Sequence, residues 1–254
     1  MRHTTLISGA TSGIGEACAR TFAKRGDILV LLGRNEEQLL ELEKEFAPIT
    51  DVSTFAVDVR DRAALEEVIA SLPDLFSHPT ILVNNAGLAL GLDKAQTANG
   101  DDWDAMIDTN VRGFAHLARL VLKTMVAEGR GHIVNMGSVA GSYPYPGGNV
   151  YGATKSFVEQ FSLNLRADLL GTPIRVTNIE PGMVETNFSR VRYRGDNTKA
   201  DALYKDLQVL SPEDIAGIVR WVTEQPAHVN VNRLEVMSVA QSFSPFTLDR
   251  KPAQ

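Results

Sequence analysis

The sequence predicts an α/β protein built on a doubly wound parallel sheet, with helices covering both faces. Two observations support this prediction. Short, continuous apolar runs, which are typical of buried parallel strands, alternate with amphipathic helical patterns along the whole chain. The first apolar run also continues directly into a glycine-rich turn and then a helical pattern, which is how sheets of this kind begin.

About seven strands are expected, in residues 3–8, 28–34, 53–59, 80–83, 132–136, 174–179 and 233–239. Helical patterns cover residues 16–25, 36–46, 61–72 and 102–128, and a further helix begins near Asn149. Ser211 and Pro212 are typical of the N-cap and first position of the last helix. Because no repeat or linker divides the chain, we expect a single domain over residues 1–254.

Composition limits the classes of partner and compartment. The net charge of −6 argues against nucleic acid, which requires a basic surface. No apolar run approaches the length of a membrane span, and residues 1–4 lead straight into the first strand without a signal peptide. We therefore expect a cytoplasmic protein. The single cysteine, Cys18, is expected to be a buried helix residue, and the 5 histidines lack metal-ligand spacing, so no metal is expected.

The glycine-rich turn predicts a phosphate site. Gly9, Gly13 and Gly15 stand between the first strand and the first helix, where glycine permits a tight turn and close approach of the backbone. The amide groups of such a turn and the helix N-terminus face an anion. In an alternating α/β chain this arrangement favours a dinucleotide pyrophosphate over a simple turn.

The end of the second strand indicates which nicotinamide cofactor is bound. An acidic residue at this place holds the ribose hydroxyls of NAD, but here the strand ends in Gly33 and Arg34. A guanidinium can pair with the 2′-phosphate of NADP, which a carboxylate would repel. The sequence therefore favours NADP(H), and the alternative is that Arg34 only opens the next helix at the surface.

Ser138, Tyr151 and Lys155 form a candidate proton-transfer site. Tyr151 and Lys155 are one helical turn apart and share a face, and an ammonium beside a phenol lowers the pKa of that phenol. A serine hydroxyl at the same place could hold a substrate oxygen. The spacing alone also suits a solvated helix face. It gains weight because the polar motifs all follow strand ends, which meet at one edge of a parallel sheet.

In their order and spacing, these motifs resemble the short-chain dehydrogenase/reductase family across essentially the whole chain. They are Gly9-x-x-x-Gly13-Ile14-Gly15, Asp58, Asn84-Asn85-Ala86-Gly87, Asn110, Ser138, Tyr151-x-x-x-Lys155 and Pro181-Gly182. The resemblance implies an NADP-dependent enzyme with a Rossmann-type fold, a small substrate lobe at about residues 183–210, and a homotetramer. Hydride chemistry would belong to the cofactor.

The resemblance also implies roles for four residues. Tyr151 is the general acid/base, Ser138 holds the reacting oxygen, and Lys155 binds the nicotinamide ribose while lowering the pKa of Tyr151. Asn110 supports a water that relays protons to Lys155, although a polar cap in a helix kink is an alternative for this residue.

Asp58 is expected to hydrogen-bond the adenine amine, and Asn85 to line the cofactor site. The full set of cofactor residues implied in this way is Gly9, Ala10, Thr11, Ser12, Gly13, Ile14, Gly15, Arg34, Asn35, Asp58, Val59, Asn85, Ala86, Gly87, Tyr151, Lys155, Pro181, Gly182, Val184 and Thr186.

Residues 84–91, 143–151, 161–166 and 226–230 are more narrowly similar to NADP-dependent 3-hydroxy acid dehydrogenases and to sulfoacetaldehyde reductases. This implies interconversion of a small anionic hydroxy compound with its aldehyde or ketone. The expected substrates are 3-hydroxypropionate and malonic semialdehyde, serine or allo-threonine, and the alternative is reduction of sulfoacetaldehyde to isethionate. A catalytically silent NADP(H)-binding regulatory protein is a remote alternative. The implied substrate residues are Ser138, Tyr145, Asn149, Tyr151 and Arg192.

The substrate anion requires a cation. Arg190, Arg192 and Arg194 alternate and would share one side of an extended segment, with Arg192 the favoured ligand and solvated loop charges the alternative. Phe157, Phe161 and Leu165 form an apolar stripe that either packs on the sheet or contributes to a subunit interface. The tail, residues 242–254, is expected to reach a neighbouring subunit or to fray.

Overall fold

The computed structural model describes residues 2–244 and 246–250, and it confirms the predicted fold class. Seven parallel strands form one sheet in the order β3-β2-β1-β4-β5-β6-β7. The strands are β1 Thr4–Ser8, β2 Ile28–Gly33, β3 Val52–Ala56, β4 Ile81–Asn84, β5 Gly131–Met136, β6 Ile174–Pro181 and β7 Arg233–Val236. The direction of winding reverses between β1 and β4, so a crevice opens there at the carboxyl ends of the strands.

The helices pack on both faces of the sheet. They are α1 Gly13–Arg25, α2 Glu36–Phe46, α3 Arg62–Ala70, α4 Gly100–Ile107, α5 Phe114–Ala127, α6 Asn149–Asp168, α7 Phe188–Arg192, α8 Asn197–Tyr204 and α9 Pro212–Thr223. None of the helices in the described ranges is both long enough and apolar enough to cross a membrane.

Successive residues of β2 show how the sheet builds two cores. Leu29 and Leu31 pack in one buried cluster with α1, α2 and α9, whereas Val30 and Leu32 pack in another with α3 and α5. Neighbouring side chains of a strand point to opposite faces, so a continuous apolar run supplies both layers. Cys18 is fully buried in the first cluster, as expected, and burial raises the pKa of its thiol to about 12.

Two strands end three residues earlier than predicted. The third strand ends at Ala56 instead of residue 59, because Asp58 begins a turn in which its carbonyl accepts a hydrogen bond from the Asp61 amide at 2.9 Å. The last strand ends at Val236 instead of residue 239, since Val236 lies opposite Pro181, where β6 itself ends.

The long helix predicted for residues 102–128 is wrong, because a π-helical turn, Asp108–Gly113, separates α4 from α5. At this turn the Asn110 side chain hydrogen-bonds the backbone of Leu88. Gly113 lies so close to the segment after β3 that a Cβ on Gly113 would be 2.5 Å from the Val59 carbonyl oxygen. The interruption therefore positions a polar side chain of the helix against the site.

The apolar stripe on α6 packs within the chain. Phe161 stacks on Phe157 with ring centroids 5.4 Å apart, contacts Phe114 edge-on, and packs with Leu165 against the second core. The described part of the tail also folds back, because Gln241 bridges to Leu248 and Phe246 packs on Tyr145, so fraying is not observed there. Residues 245 and 251–254 of the predicted tail lie outside the described residues.

Candidate active site

A cavity of about 330 Å³ lies at the carboxyl ends of the strands, at the point where the sheet reverses. Its wall includes the following residues predicted from sequence: Gly9, Thr11, Ser12, Gly13, Ile14, Arg34, Asn35, Asp58, Val59, Asn85, Ala86, Gly87, Ser138, Tyr151, Lys155, Pro181, Gly182, Val184 and Thr186. Six others do not line it: Ala10, Gly15, Asn110, Tyr145, Asn149 and Arg192.

Ala10 and Gly15 do not line the cavity but support the glycine turn on its other side. The Ala10 amide donates to the Leu32 carbonyl at 3.0 Å, and a Cβ on Gly15 would lie 2.1 Å from the Gly9 carbonyl oxygen. Gly9 and Gly13 have φ of +65° and +52°, the left-handed region that favours glycine. This geometry explains why the turn needs glycine at these positions.

The turn fits a bound pyrophosphate. Ser12 is the N-cap of α1, yet its side chain makes no capping hydrogen bond, so the first amides of the helix are not satisfied by it. Thr109, which sequence analysis missed, adds a buried hydroxyl that lines the cavity and has no hydrogen-bond partner among the residues that the structure describes. These donors suit the phosphate and ribose oxygens of a dinucleotide.

Ser8 is a second residue that sequence analysis missed. It is fully buried, and its hydroxyl accepts hydrogen bonds from the amides of Asn85 and Ala86, both at 3.0 Å. The Asn85 side chain donates in return to the carbonyls of Ser8 and Gly9 at 3.1 and 3.3 Å. These hydrogen bonds connect the residues that follow β4 to the glycine turn, and so fix two walls of the cavity relative to each other.

Asp58 and Arg34 lie at the outer end of the cavity. Arg60 donates to the Asp58 carboxylate at 2.6 Å and lowers the pKa of that carboxyl, to which the charge of Arg34 also contributes. Arg34 itself is exposed at the cavity wall, where its guanidinium is accessible to a ligand.

Tyr151 and Lys155 are both buried at the inner end. The Lys155 Nζ lies 5.9 Å from the centre of the Tyr151 ring and donates to the Met136 carbonyl at 2.8 Å. Ser138 caps a short 3-10 turn, Val139–Gly141, and hydrogen-bonds the Tyr151 hydroxyl. The hydroxyls of Ser138 and Tyr151 are thus brought to one point beside a cationic side chain.

The pKa of Tyr151 differs from the expectation. Burial raises it to about 12, while the positive charge of Arg192 and the Ser138 hydrogen bond act in the opposite direction. The lowering expected from Lys155 is not the net effect, because burial of the phenol dominates this pKa and the cation that lowers it is Arg192. Burial also lowers the pKa of Lys155, to about 8.

Asn110 is a structural support in this arrangement. Its Oδ1 accepts from the Leu88 amide at 2.9 Å, and its Nδ2 donates to the Leu88 carbonyl at 2.8 Å and to Thr154 at 3.1 Å. Asn110 lies in the π-helical turn between α4 and α5, as expected for the alternative of a polar residue in a helix kink. A Cβ on Gly87 would lie 3.3 Å from Asn110 Oδ1 and 3.5 Å from Lys155 Nζ, so both side chains border the same glycine.

The three alternating arginines do not share one side, because residues 188–192 form the short helix α7 and not an extended segment. Arg190 points to Asp201 at 3.7 Å, and Arg194 pairs with Asp102. Only Arg192 turns inward. It is 8% exposed, its Cζ lies 4.9 Å from the centre of the Tyr151 ring, and its Nη2 donates to the Tyr145 hydroxyl at 2.5 Å.

Asn149 is not brought to the substrate end. Its Nδ2 donates to the Asp93 carbonyl at 3.0 Å, and its Oδ1 accepts from the Val150 amide, so it anchors the start of α6. Phe188, which sequence analysis missed, lines the cavity with its ring centre 5.7 Å from that of Tyr151. In the part of the chain that the structure describes, no group of three or more potential metal ligands occurs.

The reversed sheet, the glycine turn and the buried tyrosine and lysine define a dinucleotide-dependent oxidoreductase of the doubly wound class. A model of the short chain dehydrogenase family matches residues 3–197. The chain belongs to the short-chain dehydrogenase/reductase family, as its motifs predicted.

Several relatives are similar over nearly their whole length. The chain is 53% identical over 246 residues to NADP-dependent 3-hydroxy acid dehydrogenase YdfG of Salmonella typhi, covering 96% of this chain and 98% of that protein. It is 51% identical over 251 residues to sulfoacetaldehyde reductase 2 of Chromohalobacter salexigens, covering 98% and 100%. The closed form of serine dehydrogenase complexed with NADP+ matches with a TM-score of 0.91 at 52% identity, covering 94% of this chain and 96% of that one.

Proposed function

We propose that this protein is an NADP(H)-dependent oxidoreductase that interconverts a small anionic hydroxy compound and its aldehyde, with a 3-hydroxy acid such as 3-hydroxypropionate or serine as substrate. The cofactor is NADP(H), as the named relatives and Arg34 support. The observation that carries the substrate class is the guanidinium of Arg192 beside Tyr151.

Arg192 is a buried cation that lacks a counter-charge. Within residues 2–244 and 246–250 it makes no ion pair, and its buried Nε has no hydrogen-bond partner. Burying a charge is costly unless it is paired, so the arrangement favours an anion that arrives with the substrate. A guanidinium can bind a carboxylate through two parallel hydrogen bonds. This supports a substrate whose acid group sits a short distance from the reacting carbon.

Tyr151 exchanges the proton of the reacting oxygen. In oxidation the Tyr151 phenolate accepts the hydroxyl proton of the substrate, and in reduction the neutral phenol donates it to the new oxygen. Ser138 holds that oxygen by a hydrogen bond, Lys155 lines the cavity beside Tyr151, and Asn110 supports this end of the cavity through Leu88 and Thr154. NADP(H), when bound, supplies or accepts the hydride at the carbon.

A second substrate class is a sulfonate, with reduction of sulfoacetaldehyde to isethionate. The 51% identity to a sulfoacetaldehyde reductase favours it, and a guanidinium can bind a sulfonate as well as a carboxylate.

The experiment that tests the substrate class compares kcat/KM with NADP+ for 3-hydroxypropionate, L-serine and isethionate. We expect a hydroxy carboxylate to exceed isethionate at least tenfold, about 1.4 kcal/mol of transition-state stabilisation. The reverse preference would assign the sulfonate. Silence on all three would leave the substrate unassigned, and NADPH binding without turnover of any small aldehyde acid would support a regulatory protein.

Arg34 is expected to select NADP over NAD. Arg34→Ala should lower kcat/KM with NADP+ about tenfold to a hundredfold and leave the value with NAD+ nearly unchanged, since a hydrogen bond to a charged group is worth about 1.5–3 kcal/mol. Arg62, which pairs with Glu66 on α3 at 2.9 Å, offers a matched control. If Arg34→Ala and Arg62→Ala gave the same NADP+ kinetics, Arg34 would not bind the 2′-phosphate.

We also propose a homotetramer. This extends the expectation from the family resemblance, and exposed apolar side chains such as Trp221 (50% exposed) and Leu170 (81% exposed) would be buried against further copies of the chain. Light scattering on the purified protein should give four times the mass of the chain, and a monomeric mass at working concentration would contradict this proposal.

A further inference from the structure

Asp102 and Arg194 form an ion pair that no part of the proposed mechanism uses. Arg194 is exposed and follows α7, whereas Asp102 is largely buried in the first turn of α4. The backbone of Arg194 has φ of +54°, unusual for a residue other than glycine. Arg194 lies two residues beyond the end of α7 at Arg192, and its guanidinium pairs with Asp102.

A second contact holds the same stretch of chain. The Arg192 carbonyl accepts a hydrogen bond from the Gly91 amide at 3.1 Å. Gly91 lies beside Asp102, since a Cβ on Gly91 would be 3.7 Å from Asp102 Oδ2. The ion pair and the backbone hydrogen bond therefore attach residues 192–194 to one surface, formed by residues 88–93 and the start of α4.

That surface is itself fixed to the active site. At one end of this surface, the Oδ1 and Nδ2 atoms of Asn110 hydrogen-bond the backbone of Leu88. At the other end, the Asp93 carbonyl accepts a hydrogen bond from Asn149 of α6, the helix that carries Tyr151. A displacement of residues 192–194 from this surface would carry the guanidinium of Arg192 away from the ring of Tyr151.

We propose that Asp102 and Arg194 are positioning residues for substrate specificity: their ion pair holds Arg192 against Tyr151, where its guanidinium receives the acid group of the substrate. The inference rests on the proposed function, because it concerns the placement of the residue that binds the substrate anion. Neither Asp102 nor Arg194 lines the cavity that holds Tyr151 and Lys155.

The test uses Arg194→Gln, Asp102→Asn and the exchanged pair Asp102→Arg/Arg194→Asp. Aspartate tolerates a positive φ, so the exchange suits the backbone at residue 194. Each single variant should raise KM for 3-hydroxypropionate about threefold to fivefold with kcat within about twofold, the range of a partly exposed ion pair. The exchanged pair should restore KM. Arg190→Gln, which removes the contact with Asp201 on the same lobe, is the matched control and should leave KM unchanged.

Two further measurements separate positioning from a general structural effect. Hydrogen exchange at the Gly91 amide should accelerate in both single variants and return to the wild-type rate in the exchanged pair, because this amide bonds Arg192. In an Arg192→Ala background, Arg194→Gln should add nothing to KM. An unchanged KM in Arg194→Gln, or an equal increase in both backgrounds, would overturn the inference. An Arg192→Ala variant with normal KM for the acid would instead overturn the proposed function.

Discussion

Replacing Tyr151 with phenylalanine is expected to reduce kcat about 10²- to 10⁴-fold while NADP(H) binding is retained. The substitution removes only the hydroxyl that exchanges the proton, and the ring keeps its packing against Phe188 and Arg192. Steady-state kinetics with 3-hydroxypropionate and NADP+, together with fluorescence titration of NADPH, would measure both quantities.

Tyr143→Phe is the matched control, because the Tyr143 hydroxyl bonds Glu235 at 3.3 Å, and Tyr143 does not line the cavity. The pH dependence gives a second check. Burial raises the pKa of Tyr151, so the phenolate needed for oxidation becomes more abundant as pH rises, and wild-type oxidation should increase toward alkaline pH. Equal kcat values for Tyr151→Phe and Tyr143→Phe would remove Tyr151 from the proton transfer.

Replacing Arg192 with alanine is expected to raise KM for 3-hydroxypropionate about tenfold to a hundredfold, since hydrogen bonds to a charged group contribute about 1.5–3 kcal/mol. Arg192→Lys keeps the charge but loses the planar fork, and its KM should lie between those of the wild type and the alanine variant. The measurement is KM for the acid and for an uncharged alcohol, and KM for the alcohol should not increase.

Arg192→Ala should also move the alkaline rise of oxidation to higher pH, because the charge of Arg192 lowers the pKa of Tyr151. Equal increases of KM for the acid and the alcohol would contradict anion binding, because they would show a loss of general site structure.

Sequence reasoning found the elements whose chemistry is local. The glycine turn needs left-handed backbone at Gly9 and Gly13, and Tyr151 and Lys155 are neighbours on one helix, so their spacing, taken together with the other motifs at the strand ends, predicted each arrangement. The location of the site at the strand ends then followed from the rule that ligands bind where the strand order of a doubly wound sheet reverses.

Other features depend on tertiary contacts that spacing does not encode. The alternation of Arg190, Arg192 and Arg194 predicted an extended segment with the three side chains on one side. Residues 188–192 instead form the helix α7, which separates the three side chains, and only Arg192 is buried, beside Tyr145. Asn149 was expected at the substrate and is held instead by the Asp93 carbonyl.

The net pKa of Tyr151 illustrates the same limit. The neighbouring ammonium of Lys155 could be inferred from the sequence, but the depth of burial that raises the pKa to about 12 depends on how α6 and α7 pack. Ser8 and Thr109 were missed because an isolated buried hydroxyl in a strand or a helix leaves no motif.

The requirement of the active site for an anion on its substrate can be measured as kcat/KM with NADP+ for 3-hydroxypropionate and for 1,3-propanediol, in which an uncharged hydroxymethyl group replaces the carboxylate. We expect a preference of at least tenfold for the acid, about 1.4 kcal/mol, because only the acid can pair with Arg192. Equal values for the two compounds would contradict it.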